Sequence, residues 1–167
     1  MLIGIIAFID DNGHKLIGYK DKLAWKCPNE IQHLYKLINE AIKQNNFRTI
    51  IVGSNTYNSL PKKFVEQYKK WLHPIYDLDS YQKSLCLIED RKTDNILFGG
   101  KTIYETFLDK VDVWYISKIS PTFKLQEVEP KDLVYLDALN DFYLQQFQLT
   151  KKIDYTDFEF QKWERIK

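Results

Sequence analysis

Cysteine is nearly missing from this chain of 167 residues, with only Cys27 and Cys86 present. Two thiols make no disulfide framework, so a reducing compartment is the expected setting. Histidine is as scarce: His14, His33 and His73 are scattered, and no Cys-x-x-Cys or His-Glu-x-x-His spacing occurs. No metal is expected. An excess of one charge sign is also lacking. Lys plus Arg number 24 against 23 Asp plus Glu, a formal net charge of +1, which supplies no electrostatic footprint for nucleic acid or an anionic membrane. Lys62, Lys63, Lys69 and Lys70 cluster in sequence and read as a solvated helix face. Nor is there a long apolar run. Residues 1–9 are apolar but stop at Asp10-Asp11 without a basic leader, too short to span a bilayer. They read as a first strand, and the protein is expected to be soluble, cytoplasmic and monomeric. No repeat, low-complexity tract or Pro/Gly/Ser-rich linker divides the chain.

What is present suits one domain over residues 1–167. Hydrophobic residues make up 44% and charged residues 28%, an ordinary globular balance that excludes disorder. Residues 2–8 form a short, continuously apolar run, as buried strands do. A polar loop is expected from Asp10 to Trp25, with Gly13 and Gly18 as its flexible points. Pro28 stands where a helix favours its first residue, and Ile31, Leu34, Leu37, Ile38, Ala41 and Ile42 then recur at helical spacing. Residues 49–52 read as a strand ending at Gly53. Residues 64–72 and 81–89 look helical, with Ile75-Tyr76 as a short strand between them. Residues 95–98 form a strand that runs into Gly99-Gly100 and a helix over 101–108. Residues 111–119, 133–136, 142–149 and 156–166 read as further strands, the last ones antiparallel.

Strand–helix alternation followed by strands predicts an α/β fold. Its three layers, α/β/α, enclose a central mixed, mostly parallel sheet ending in an antiparallel hairpin. Ligands bind such sheets beyond the carboxyl ends of the strands. That directs attention to Phe8, Gly53 and Gly99-Gly100, and to three segments. In the first, Glu30 follows Trp25 and Pro28. A first-turn carboxylate is common, because it complements the helix dipole. In an apolar cleft the same group can grip the amidine-like edge of a nitrogen heterocycle by two parallel hydrogen bonds, and burial would raise its pKa toward neutrality. In the second, a strand enters Gly53-Ser54-Asn55-Thr56, where helix capping is the favoured reading and phosphate binding the functional alternative. In the third, Gly99-Gly100 lies between a strand and a helix, allowing close approach of a diphosphate or merely a tight turn.

Taken in order, these segments resemble the dihydrofolate reductase family. The resemblance rests on Ile17-Gly18, on Trp25-x-x-Pro28-x-Glu30, on the run from Ile51-Val52-Gly53 through Thr56-Tyr57 to Ser59-Leu60-Pro61, and on Phe98-Gly99-Gly100 with Ile103-Tyr104 and Phe107-Leu108. Val113-Trp114-Tyr115-Ile116-Ser117 and the tail around Tyr155–Phe160 look similar too; the likeness fades between residues 62 and 94. It implies hydride transfer from NADPH to 7,8-dihydrofolate, with antifolate inhibitors as further ligands. By the same resemblance Glu30 binds the pterin and supports its protonation, Leu23 belongs to a loop that closes over the nicotinamide, and Trp25 anchors that loop. Ile6, Ala7, Leu34, Leu60, Phe98, Tyr104 and Ser117 match positions around the substrate. Ala7, Ile17, Gly18, Gly53, Ser54, Asn55, Thr56, Gly99, Gly100, Lys101, Thr102 and Ile103 match positions around the cofactor.

The chain departs from the family pattern at identifiable points. The first loop carries a short insertion, and Ala24 replaces the usual proline. Ser54 and Thr102 occupy positions where basic residues of relatives contact the ribose 2′-phosphate, so NADH is expected to be tolerated. No Pro-Gly-Arg supplies an arginine for the folate tail; Lys69 or Lys70 are the substitutes the sequence offers. His73-Pro74 interrupts an expected central strand. Two alternatives accompany the leading reading: a reductase of similar fold acting on another heterocycle, and a folate- or nucleotide-binding protein without useful turnover.

Overall fold

The computed structural model describes residues 1–20 and 22–167. The chain alternates strands and helices: β1 (Leu2–Asp11), β2 (His14–Tyr19), α1 (Pro28–Ile42), β3 (Phe47–Gly53), α2 (Ser54–Ser59), α3 (Lys62–Tyr68), β4 (Leu72–Ile75), α4 (Leu78–Glu89), β5 (Asp94–Leu97) and α5 (Lys101–Phe107). It ends with β6 (Val113–Ile119), β7 (Leu133–Tyr135), α6 (Asp141–Leu144), β8 (Phe147–Asp154) and β9 (Phe158–Arg165). The main sheet runs β4-β3-β5-β1-β6-β9-β8. Its first five strands are mutually parallel, while β9 lies antiparallel to both β6 and β8. This is the expected mixed sheet with a closing hairpin.

Side-chain alternation explains why helices cover both faces. A strand turns successive residues to opposite sides. On β1, Leu2, Ile6 and Phe8 enter one apolar cluster, with Ile88 and Phe107 from α4 and α5; Ile3 and Ile5 enter another, with Ile38 and Phe64 from α1 and α3. Ile50 and Ile51 divide in the same way on β3, as do Ile96 and Leu97 on β5. Such strands are apolar on both sides because neither side meets water.

Four expectations need correction. The helix expected over residues 64–72 ends at Tyr68, and the strand expected at Ile75-Tyr76 is Leu72–Ile75. The stretch from Asp10 to Trp25 is not all loop: β1 continues to Asp11 and turns through Asn12-Gly13 into β2. Both turn residues have positive φ, 53° and 88°, the geometry for which two-residue Asn-Gly hairpins are selected. Asp21, in the same stretch, lies outside the described residues. Residues 142–149 are not one strand either. Asn140 accepts a hydrogen bond from the Tyr143 N–H and caps the short α6, so β8 begins only at Phe147. Finally, His73-Pro74 lies in β4, which is an edge strand rather than a central one, and an edge tolerates a residue without an N–H.

No helix among the described residues is long and apolar enough to cross a membrane. Among the glycines, Gly4 of β1 is packed most closely, against Trp114 of β6. A Cβ built on Gly4 would lie 2.4 Å from the ring of Trp114, which is wholly buried and donates to the Tyr143 hydroxyl at 3.0 Å. Gly4→Ala is therefore expected to lower the unfolding free energy by about 1–3 kcal/mol, as overpacking usually does. Urea denaturation measures this, and a change under about 0.5 kcal/mol, the level of surface substitutions, would show that the ring yields freely.

Candidate active site

Because β3, β5, β1 and β6 run in parallel, they deliver their carboxyl ends to one edge, and a cleft of about 930 Å³ opens there. One wall is α1, which starts at Pro28 and turns Glu30, Ile31, Leu34 and Tyr35 toward the opening. The other wall comes from α2, the turn at Leu60-Pro61, and α3. Ile6 and Ala7 of β1 form the floor together with Phe98 and Tyr104. The segment from Lys22 to Lys26 forms a rim. It is held down by a bridge between Trp25 and Lys124 and by the Leu125 N–H, which donates to the Ala24 carbonyl at 2.9 Å.

Among the described residues Glu30 is the single carboxylate lining this cleft, and it is only 5% exposed. Loss of water pushes its pKa up to about 7, and a hydrogen bond from the Ser117 hydroxyl acts in the opposite direction. Nothing nearby compensates the charge fully, so near neutral pH the carboxyl exists in both protonation states. Beside it, Trp25 is buried and its indole N–H has no hydrogen-bond partner. A sealed donor of this kind calls for water or a ligand acceptor. The Tyr104 hydroxyl is fully committed, bonding the carbonyls of Ile5 at 2.6 Å and Phe98 at 2.9 Å. Burial, and then the charge of Glu30, drive its ionisation far upward, so it acts as a fixed strut between β1 and β5.

The far end of the cleft is made by two close turns. The Gly53 N–H donates to the Gly99 carbonyl at 2.7 Å. A Cβ on Gly53 would stand 2.9 Å from Ile103, and one on Gly100 would stand 2.7 Å from the Thr56 hydroxyl. Gly99 also has φ of +114°, a conformation that favours glycine. Ser54, Asn55, Thr56, Lys101 and Thr102 surround these turns, and all five border the cleft.

The cleft thus gathers nearly every residue singled out from the sequence, including Ile17, Gly18, Leu23 and Ile103. Phe8 and Ser117 are the exceptions: Phe8 is buried in the core, and Ser117 is buried and hydrogen-bonds Glu30 without lining the opening. Lys69 and Lys70 are also absent from the lining. Sequence reasoning missed Lys20, Lys22 and Lys26 on the rim, Tyr35 and Phe64 on the outer walls, and Tyr76 at the mouth. Tyr76 follows directly after β4, whose Ile75 pairs with Gly53. The edge position of that strand is what brings Tyr76 to the cleft. No cluster of His, Cys, Asp and Glu among the described residues could hold a metal ion.

Comparisons with known proteins point to one family. A family model described as dihydrofolate reductase matches residues 2–165. The chain is 26% identical to a dihydrofolate reductase of Staphylococcus aureus over 114 residues, which is 66% of this chain and 67% of that one. It is 23% identical to the dihydrofolate reductase of Saccharomyces cerevisiae over 157 residues, covering 82% and 72% of the two chains. Among solved structures it resembles a dihydrofolate reductase from Enterococcus faecalis complexed with NADP(H) and RAB-propyl. There the TM-score is 0.61 at 17% identity, with 100% and 97% of the chains covered.

The burial of Glu30 has a consequence for stability that needs no ligand. A carboxyl whose pKa rises from 4.5 to about 7 on folding makes the folded state the better proton binder between those values. Its protonated form is favoured by the fold below pH 4.5, and that contribution is lost as pH rises through 7, to a total of about 3 kcal/mol. Glu30→Gln removes the titration. Its stability relative to the unsubstituted protein should therefore increase from pH 5 to pH 8 by up to about 3 kcal/mol, measured by denaturant unfolding of both proteins at each pH. A difference that stays constant with pH would contradict the buried, titrating carboxyl.

Proposed function

We propose that this chain, which belongs to the dihydrofolate reductase family, transfers a hydride from NADPH to 7,8-dihydrofolate and so supplies tetrahydrofolate for thymidylate and one-carbon metabolism. The observation that carries this reading is the sealed Glu30 carboxyl, the sole acid lining the cleft among the described residues, with a pKa of about 7. Ionised, it accepts two charge-assisted hydrogen bonds from the 2-amino group and N3 of the pterin. Protonated, it holds the proton that N5 must receive, to be relayed through water. The partnerless N–H of Trp25 offers that water a fixed donor. Ser117 acts through Glu30, keeping its pKa from rising further. Ile6, Ala7 and Phe98 supply apolar surface for a flat ring, with Leu34 and Leu60 beyond it. Leu23, 46% exposed on the rim, is placed to cover the reacting edge and exclude water.

NADPH, when bound, supplies the hydride. The residues fit such a cofactor at the two glycine turns, where side chains are excluded by contact with Ile103 and Thr56. Backbone there can approach a diphosphate closely. Ser54, Asn55, Thr56 and Thr102 add uncharged donors, and Lys101 a charged one. Ala7, Ile17, Gly18 and Ile103 border the space between these turns and Glu30, which suits the nicotinamide ring. Antifolate inhibitors, which present the same amidine-like edge as a pterin, are expected to compete at Glu30.

A spectrophotometric assay tests the reading: nicotinamide absorbance should fall only when both NADPH and dihydrofolate are present. The rate should be sustained below pH 7 and decline as pH rises through the Glu30 pKa of about 7, because the carboxyl then loses the proton it passes on. Glu30→Gln should reduce hydride transfer at neutral pH by roughly 10²- to 10⁴-fold. Near-normal turnover in that variant would remove Glu30 from the mechanism.

Cofactor choice follows from charge. A 2′-phosphate is held well by donors that stay ionised, and Lys101 is the one such group beside Ser54 and Thr102. NADPH should be preferred over NADH by less than about a hundredfold in kcat/KM, the contribution of one charged contact. Ser54→Arg should raise that ratio through NADPH alone. Measured at one ionic strength, a ratio above a thousandfold in the unsubstituted protein, well past what one such contact provides, would mean that other cations reach the phosphate.

A further inference from the structure

The first turn of α1 carries Glu30 but supplies no hold of its own. Cys27, the residue before the helix, makes no capping hydrogen bond with its side chain. The Glu30 and Ile31 N–H groups both return to the Cys27 carbonyl, at 3.1 and 3.2 Å. A helix start without a side-chain cap frays more readily than a capped one. Glu30 is nevertheless buried, so the turn is fixed from outside α1.

The connection between β8 and β9 provides that hold. The Asn29 side-chain amide donates to Oδ2 of Asp157 at 2.6 Å, across 128 positions of sequence. A carboxylate at this place also complements the helix dipole. Asp157 is itself fixed: its carbonyl accepts from the Ser120 N–H at 2.9 Å, and its N–H donates to the Tyr155 carbonyl at 2.9 Å. Three residues beyond Glu30, on the helix face the two share, the His33 ring meets the same connection. It stands 5.1 Å from Tyr155, 5.3 Å from Phe158 and 4.7 Å from Phe160. The connection therefore grips α1 both before and after Glu30. It is also joined to the residue that bonds Glu30 directly, because Phe160 pairs with Ser117 across β9 and β6.

Taking Glu30 as the acid of the proposed reaction, we propose that Asp157 is a positioning residue, which through Asn29 holds the first turn of α1 in place and keeps water from the Glu30 carboxyl. The bond lies at the surface, where a hydrogen bond adds only modestly to net stability. Its consequence is positional. Burial raises the Glu30 pKa and the Ser117 bond lowers it, so a first turn released from Asp157 would admit water and let the pKa fall.

The test is an NMR titration of the glutamate carboxyl carbons in the free protein, with the Glu30 signal assigned by its loss in Glu30→Gln. Asp157→Ala should lower the Glu30 pKa from about 7 by about one unit, a tenfold change in the ratio of its two protonation states. Asn29→Ala removes the donor and leaves Asp157 charged; it should give the same shift, and the double variant no more. Asp157→Asn keeps an acceptor for Asn29 without the charge and should restore most of the value. With NADPH and dihydrofolate, the decline of rate with pH should move with these shifts, while KM for NADPH stays unchanged. An unchanged Glu30 pKa in Asn29→Ala would overturn the proposal, and that variant decides alone if Asp157→Ala does not fold. Equal shifts in Asp157→Ala and Asp157→Asn would also overturn it, by reducing the effect to charge. Because the titration uses no ligand, the predicted shifts in a protein without turnover would refute hydride transfer and uphold the positioning of Glu30.

Discussion

A carboxyl group held out of water at the first turn of α1 sets the terms for the rest of this molecule. Placed in solvent, Glu30 would be an ordinary helix-dipole partner, ionised at any neutral pH. Enclosed by Ile6, Leu34, Trp25 and Tyr104 it is neither fully charged nor fully neutral near pH 7, and it destabilises the folded chain in proportion to its ionisation. Such a group persists where something external uses it. The Trp25 N–H on the same cleft is a buried polar atom without a partner, whereas Glu30 has the Ser117 hydroxyl alone. A sealed donor and an under-paired acid on one apolar cleft suit a ligand that pairs with both better than independent packing faults.

The sheet makes this placement possible. The chain begins in its middle, with β1 between β5 and β6, so the first apolar residues become the floor under everything added later. Successive crossovers then carry β3, β5 and β4 outward on one side of β1, and β6 and the β8–β9 hairpin on the other. Parallel strands must all end at the same edge, and that edge receives Gly53, Phe98 and Ala7 without any of them being near the others in sequence. The Tyr104 hydroxyl locks two of those strands at the point where they diverge. The cleft is a product of topology before it is a product of any particular side chain.

This explains what could and could not be read from residues alone. Strands β1, β3, β5 and β6 were legible because burial on both faces leaves continuous apolar runs, and α1 because Pro28 and its apolar spacing mark both its start and its inner face. Glu30, Trp25 and the two glycine turns were legible as a set through their order along the chain. Local signals that compete for one segment were harder to weigh. Asn12-Gly13 carried the turn chemistry of a hairpin, yet the surrounding Asp10, Asp11, His14 and Lys15 are polar enough to suggest open loop. Residues 142–149 alternate as a strand does, but Asn140 caps a helical turn first. Pro74 argued against a strand that exists at the edge, because strand order is a long-range fact with no local signature. The contributions of Tyr35, Phe64 and Tyr76 to the cleft depend on that same order and on how α1 faces α3.

Charge distribution carries the last step. A net charge of +1 conveys nothing about where the charges sit, and the cleft shows the difference. Among the described residues its lining includes Lys20, which pairs with Asp132 at 4.0 Å, together with Lys22, Lys26 and Lys101, against one carboxylate that is itself only partly ionised. The opening is therefore electropositive within a nearly neutral molecule, and low-dielectric walls concentrate that field on whatever enters. The cations stand on the rim between β2 and α1 and at the start of α5, next to the Gly99-Gly100 turn. Attraction for an anionic ligand is thus directed to one end, while the other end recognises shape and apolar surface. A ligand with phosphate at one end and a neutral ring system at the other satisfies both halves. That division of labour follows from where two lysine-bearing segments meet the sheet edge, not from the number of lysines in the chain.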